Sequence, residues 1–253
     1  MWNDFSTERG QSVTAEVITI PSGAEEIHAY FAHPTDEAER PGIVLFHHMP
    51  GWDEFTFEMA ERLARHGYSV LCPDLYCRFG HGQPDDIAAG VRQAGGVADT
   101  SVLGDAAAAL EFLQELPDAT GPVGAIGPCS GGRHALLAAS VVPGFAAVAD
   151  LWGGGVVMAP EELNDKRPVA PIDYTESLAA PLLGLFGNDD RRPSPAEVDE
   201  HEAALRRHDK AYSFHRYDGA GHGFIYYHTD NYRPAAAMDA WGRILAFFDE
   251  TLR

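Results

Sequence analysis

Six residues constrain the fold of this chain more than any others. Gly127-Pro128-Cys129-Ser130-Gly131-Gly132 follows directly on the apolar run 122–126, and a helix-forming segment, 134–140, comes at once after it. A strand that turns this tightly into a helix leaves no room for a Cβ at 127, 131 or 132, so glycine is needed at all three. The residue at the centre of the turn is forced into a strained backbone conformation that exposes its side chain. Here that residue is Cys129. The pattern is that of a nucleophile elbow at the carboxyl end of a sheet strand, and it predicts thiolate chemistry.

The rest of the chain supplies the sheet. Runs 13–20 and 27–32 read as a hairpin around Pro21-Ser22-Gly23. Further strand-like runs follow at 43–47, 69–72, 123–126, 146–151, 182–186 and 212–217. The later ones are short and nearly continuously apolar, as strands covered on both faces should be. Helical periodicity lies between them. Phe55, Met59 and Leu63 share one face, with Gly67 placed to stop the helix. Val102, Ala106, Ala109, Leu113 and Leu116 share another, starting near Asp99 or Thr100 and ended by Pro117. Val198, His201 and Leu205 mark a third, and Trp241, Ile244, Leu245 and Phe248 a fourth. This alternation predicts a mostly parallel sheet sandwiched by helices. Residues 158–177, with three prolines and mixed charge, read as a loop or cap inserted in one domain spanning 1–253.

Charge narrows the partners. A formal net charge of −20 opposes binding to nucleic acid or to anionic membranes. No apolar leader or membrane-length stretch occurs, and three cysteines are too few for a disulfide framework. Cys72 and Cys77 are expected to be reduced thiols in a cytoplasmic protein, a monomer or homodimer. Twelve histidines include no His-x-x-x-His pair, and His47-His48 on a strand would point to opposite faces. Neither a metal nor a cofactor is predicted.

In a doubly wound sheet, reactive groups gather at the carboxyl ends of the strands. Three such ends carry them here: Cys129, then Gly187-Asn188-Asp189-Asp190, then Asp218-Gly219-Ala220-Gly221-His222-Gly223-Phe224. The order nucleophile, acid, histidine is that of the α/β-hydrolases. A thiol needs an adjacent imidazole to take or hold its proton, and an acid to fix that imidazole's tautomer. His222 is the candidate base, and Asp189 or Asp190 the candidate acid. An oxyanion hole needs two N–H donors. Ser130 supplies one, and the loop His47-His48-Met49-Pro50-Gly51 supplies the other, with Met49 as the expected donor. Trp52, Tyr76, Phe79, Trp152, Tyr226 and Tyr227, all near strand ends, are the expected pocket walls.

These motifs resemble the dienelactone hydrolases (carboxymethylenebutenolidases). The resemblance runs from about residue 43 to 248 and rests on four segments besides Gly104-Asp105. They are Arg40-Pro41-Gly42-Ile43-Val44-Leu45-Phe46, Val70-Leu71-Cys72-Pro73-Asp74-Leu75-Tyr76, the Cys129 turn and Gly219-Ala220-Gly221-His222-Gly223-Phe224. It implies an α/β-hydrolase fold and a Cys-Asp-His triad of Cys129, Asp190 and His222. Three departures stand out. The family's founding members place a glutamate against the resting thiol where this chain has His48. They place a carboxylate-binding arginine where it has Tyr226, and their connection matching 158–177 is shorter. Arg78 and Arg133 are the cations nearest the expected site, and Arg78 joins His48, Trp52, Trp152 and Tyr226 as an expected substrate contact.

The sequence therefore predicts an α/β fold with about eight strands, covered by helices on both faces. The predicted activity is hydrolysis of a small-molecule lactone or carboxylic ester through a thioacyl-enzyme. The rival readings are promiscuous cleavage of aryl ester, thioester or phosphoester bonds by the same triad, and a non-catalytic redox or binding role for Cys129.

Overall fold

The computed structural model describes residues 10–80 and 82–253. Strands β1 (Val13–Ser22) and β2 (Glu25–Pro34) form an antiparallel hairpin. It turns at Gly23, whose φ of 62° favours glycine. The remaining strands are β3 (Arg40–Leu45), β4 (Ser69–Pro73), β5 (Ala119–Pro128), β6 (Phe145–Leu151), β7 (Leu182–Gly187) and β8 (Tyr212–Tyr217). All eight join one sheet in the order β1-β2-β4-β3-β5-β6-β7-β8. The hairpin meets β4 antiparallel, and every pairing from β4 to β8 is parallel.

The apolar runs form central strands because alternate residues feed two cores. In β3, Val44 joins Val123, Ala125 and Val148 on one face, while Ile43 and Leu45 join Ile126 and Leu185 on the other. Helix α1 (Glu54–Arg65) and helix α6 (Pro234–Leu252) cover the second face with Phe55, Met59, Leu63, Trp241, Ile244 and Phe248. Helices α3 (Asp99–Gln114) and α4 (Ser130–Val141) cover the first with Val102, Ala106, Leu113, Ala135 and Leu136. Helix α5 (Pro195–Arg207) adds Leu205 to that face.

Two expectations are corrected. Residues 43–47 were expected to form one strand, but β3 ends at Leu45, so His47 and His48 lie in the loop beyond it, both buried. The opposite-faces argument therefore does not apply to them. Helix α2 (Pro84–Gln93) has no counterpart in the sequence reading. It buries only Ala88 and Val91, too few for a periodic stripe, although Pro84 at its first turn and Asp85 and Asp86 beside it are start signals. The 158–177 connection carries 3₁₀ turns at Pro160–Glu162 and Pro171–Ser177. It is tied to the start of α3, where the Asp99 N–H donates to Lys166 O at 2.8 Å. Among the described residues, no helix is long and apolar enough to cross a membrane.

Candidate active site

Cys129 stands between β5 and α4 with φ 54° and ψ −123°, a conformation that costs a non-glycine residue of order 1–3 kcal/mol. The turn is held because its neighbours are glycines. A Cβ on Gly127 would lie 2.2 Å from the Gly131 carbonyl carbon, and one on Gly131 would lie 2.0 Å from Phe46 O. A Cβ on Gly132 would lie 2.3 Å from Asp150 Oδ1. The Cys129 N–H donates to Leu151 O at 2.9 Å, fixing the turn to the end of β6. The thiol is half-buried, and as residue N1 of α4 Ser130 has a backbone N–H without a partner inside the helix.

The ends of β7 and β8 meet because Gly187 carries no Cβ: one there would be 2.3 Å from Ala220 O. This brings two loops together. His222 Nδ1 donates to Asp190 Oδ2 at 2.9 Å, while Asp190 Oδ1 accepts from the Arg192 N–H at 2.9 Å. The Asp190 side chain is buried and the imidazole is not, at 3% and 39% exposure. Asp189 is exposed, and its N–H donates to Ala220 O at 2.9 Å. Cys129 lies close enough to the His222 ring to act on its charge. Burial works against a charged imidazole, but the bond to Asp190 and the proximity and charge of Asp190 and Cys129 prevail, and they push His222 up to about 10.

The loop after β3 lies against this turn. Burial pulls His47 down to about 4, so its ring is neutral. It bridges two segments: Nδ1 donates to His48 O at 2.9 Å, and Nε2 accepts from the Leu75 N–H at 3.2 Å. His48 O also accepts from the Gly51 N–H at 2.9 Å. A trans peptide holds its C=O and N–H in opposite directions, so these bonds fix the heading of the Met49 N–H. Tyr76 Oη completes the loop by donating to Met49 O at 3.0 Å. Cys129 lies close enough to Tyr76 for its charge to join burial in raising that phenol.

A family model described as "Dienelactone hydrolase family" matches residues 27–252. The chain belongs to the dienelactone hydrolase family. Two relatives carry the name "Putative carboxymethylenebutenolidase". The one from Synechocystis sp. is 29% identical over 95% of this chain and 98% of its own. The one from Methylorubrum extorquens is 33% identical over 96% of this chain and 83% of its own. The crystal structure of a "Putative Dienelactone Hydrolase" from Klebsiella pneumoniae superposes with a TM-score of 0.87 at 27% identity, over 95% of this chain and all of that one. The chain is thus a hydrolase with the α/β-hydrolase fold.

Within this family member, the expected substrate contacts lie in different surroundings. Trp152 packs edge-on to His222, with ring centroids 6.4 Å apart. His48 packs against Tyr226 at 5.7 Å, and both reach Asp53. His48 Nε2 lies 2.8 Å from Asp53 Oδ2, and Tyr226 Oη donates to the same oxygen at 3.4 Å. Burial works against the charge on Asp53, yet His48 and the Thr56 N–H hold its carboxyl below the usual range. Asp53 was not singled out in the sequence. Its place before α1 reads as a helix cap, which it is, and nothing in the spacing signals its second role. Trp52 instead packs among Tyr30 and Phe57.

Both candidate arginines are spoken for. Arg78 grips Asp105 through Nη1 at 2.8 Å and Nη2 at 2.9 Å, and Glu25 through Nε at 2.6 Å. Arg133 grips Asp99 at 2.6 and 3.0 Å. Among the described residues, the one group with metal-ligand proximity is Glu54, Glu58 and His228, on the outer side of α1. Both Glu58 oxygens already accept there, from Tyr227 Oη and His228 Nε2.

Proposed function

We propose that this protein hydrolyses lactones or small carboxylic esters through a thioacyl-enzyme on Cys129, with His222 moving the proton and Asp190 orienting the imidazole. The observation that carries this is the His222 ring bonded to the buried Asp190 and lying beside Cys129, on the loops that follow β7, β8 and β5 of the parallel sheet. An imidazole raised to about 10 keeps its proton through neutral pH and has it ready for a leaving group.

The chemistry balances on these groups. The Cys129 sulfur attacks the carbonyl carbon, forming a C–S bond and a tetrahedral oxyanion, which the N–H groups of Ser130 and Met49 stabilise. The oxyanion collapses, the C–O bond to the leaving alkoxide breaks, and His222 gives its Nε2 proton to that oxygen. In a lactone the alcohol stays attached to the acyl group. Water then attacks the thioester while His222 takes a proton from it. The C–S bond breaks, the sulfur keeps the electron pair and returns as the thiolate, and the acid product gives its remaining proton to solvent and leaves as the carboxylate.

Dienelactone, neutral lactones and aryl esters of increasing acyl length, offered to wild type and Cys129→Ala, test this. Turnover of at least one class by wild type, lost in a folded Cys129→Ala, is expected. Undiminished turnover in the variant, or none by wild type on any member, would overturn the reading. With Arg78 and Arg133 already ion-paired and tyrosine at 226, neutral substrates are expected to show higher kcat/KM than the carboxylate-bearing dienelactone.

A further inference from the structure

His222 bonds Asp190 through Nδ1 and lies beside Cys129, and its ring meets Trp152 edge-on. Trp152 is itself held in an unusual state. Its φ is 44°, a genuine outlier for a bulky residue, and its side chain is buried against Phe224 with centroids 5.1 Å apart. Something must offset that strain.

Asp150, two residues earlier in β6, does so. Its side chain is fully buried, and Oδ1 accepts from the Gly153 N–H at 2.7 Å, closing the turn that contains Trp152. The turn fits only with glycine at 153, where a Cβ would lie 2.8 Å from the Arg133 nitrogen. Asp150 is also wedged beneath the first turn of α4, against Gly132, and next to Leu151, whose carbonyl holds the Cys129 N–H. Its other oxygen, Oδ2, is buried and has no partner among the described residues. An ionised carboxylate with one donor is poorly tolerated in a core. Burial accordingly pushes this carboxyl up to about 7, with the Gly153 N–H the only group opposing it.

We propose that Asp150 is a positioning residue for hydrolysis: it closes the 150–153 turn, the turn holds Trp152 at positive φ, and the Trp152 ring sets where the His222 imidazole lies. This rests on the reading of His222 as proton carrier. The bland alternative is that Asp150 only caps a turn, so the test needs readouts that a merely local brace would leave unmoved.

Asp150→Ala removes the acceptor, whereas Asp150→Asn keeps a carbonyl oxygen at the same place in a neutral group. With the best substrate of the panel, Asp150→Ala is expected to lower kcat by about 10- to 100-fold with KM changed less than about threefold, the size of a small misplacement at a reacting group. The His222 ring resonances should shift in the same variant. Asp150→Asn should bring both back to within about threefold of wild type. If Asp150→Ala does not fold, Asp150→Ser, whose hydroxyl closes the same turn more weakly, is expected to move kcat and the resonances in the same direction. A folded Ala or Ser variant with unchanged kcat and His222 signals, or an Asn variant as impaired as Ala, would overturn the proposal. A His222→Ala protein that keeps turnover would instead overturn the triad reading. An inactive His222→Ala beside a wild-type-like Asp150→Ala would overturn the positioning role alone.

Discussion

His222 carries bonds that outweigh its own burial, and this has a consequence for stability as well as for chemistry. An unfolded histidine titrates near 6.5, and this one is raised to about 10. The folded state therefore holds the proton more tightly. The stabilisation is complete below about pH 6.5, fades as pH rises, and is gone above about pH 10. Urea midpoints of wild type should fall across that window more steeply than those of His222→Ala; parallel profiles would contradict the pairing. Replacing the orienting acid leaves the wrong tautomer, a loss on the order of 10⁴ in serine-protease precedent. Asp190→Asn should therefore cost far more kcat than Asp189→Asn, because Asp190 alone is buried against the ring. The reverse order would move the role to Asp189.

The loop between β4 and α2 and the hairpin of β1 and β2 are clamped together by Asp105, on the second turn of α3. That carboxylate is fully buried and accepts from Ser22 Oγ at 2.7 Å as well as from Arg78. Arg78→Ala would leave it unpaired. A fully buried pair broken this way costs about 3–5 kcal/mol. The Arg78 side chain is 27% exposed, so water screens part of the loss and about 1–3 kcal/mol is expected. The melting temperature should drop by several degrees while KM for a neutral ester stays within about threefold of wild type. A large KM increase at unchanged stability would instead give Arg78 a place in the substrate pocket.

The same elements show what was legible in the sequence. Each expected strand overlaps an observed one, and in central strands such as β3 and β7 the apolar run is continuous because both faces are buried. The Cys129 turn was legible because its glycines leave few other conformations. Helix α2 was not, since two buried residues write no stripe. The pairing of His48 with Asp53, and of Asp150 with the Gly153 N–H, depends on loop paths that local patterns do not encode. The pairing of Arg78 with Asp105 was not legible either, because the two lie 27 residues apart in the chain.

Over the whole molecule, a net charge of −20 sets a field that repels anions at long range. Salt shortens that field, with a Debye length of about 10 Å at 0.1 M. For a carboxylate-bearing lactone, kcat/KM should rise several-fold as salt increases from about 0.02 to 0.5 M, while a neutral lactone stays nearly flat. A salt-independent rate with the anion would show that local cations cancel the field at the site mouth.

The most direct measurement is intact-protein and peptide mass spectrometry of enzyme acid-quenched during turnover of an aryl ester with a slowly hydrolysed acyl group. Cys72 is fully buried, and burial raises both its thiol and that of Cys77, the latter to about 11, so neither should compete. The mass of the acyl group is expected on the peptide containing Cys129, in amounts that follow the pre-steady-state burst, and absent from Cys129→Ala. An acyl adduct on any other residue, or a burst with no adduct on Cys129, would contradict the thioacyl mechanism.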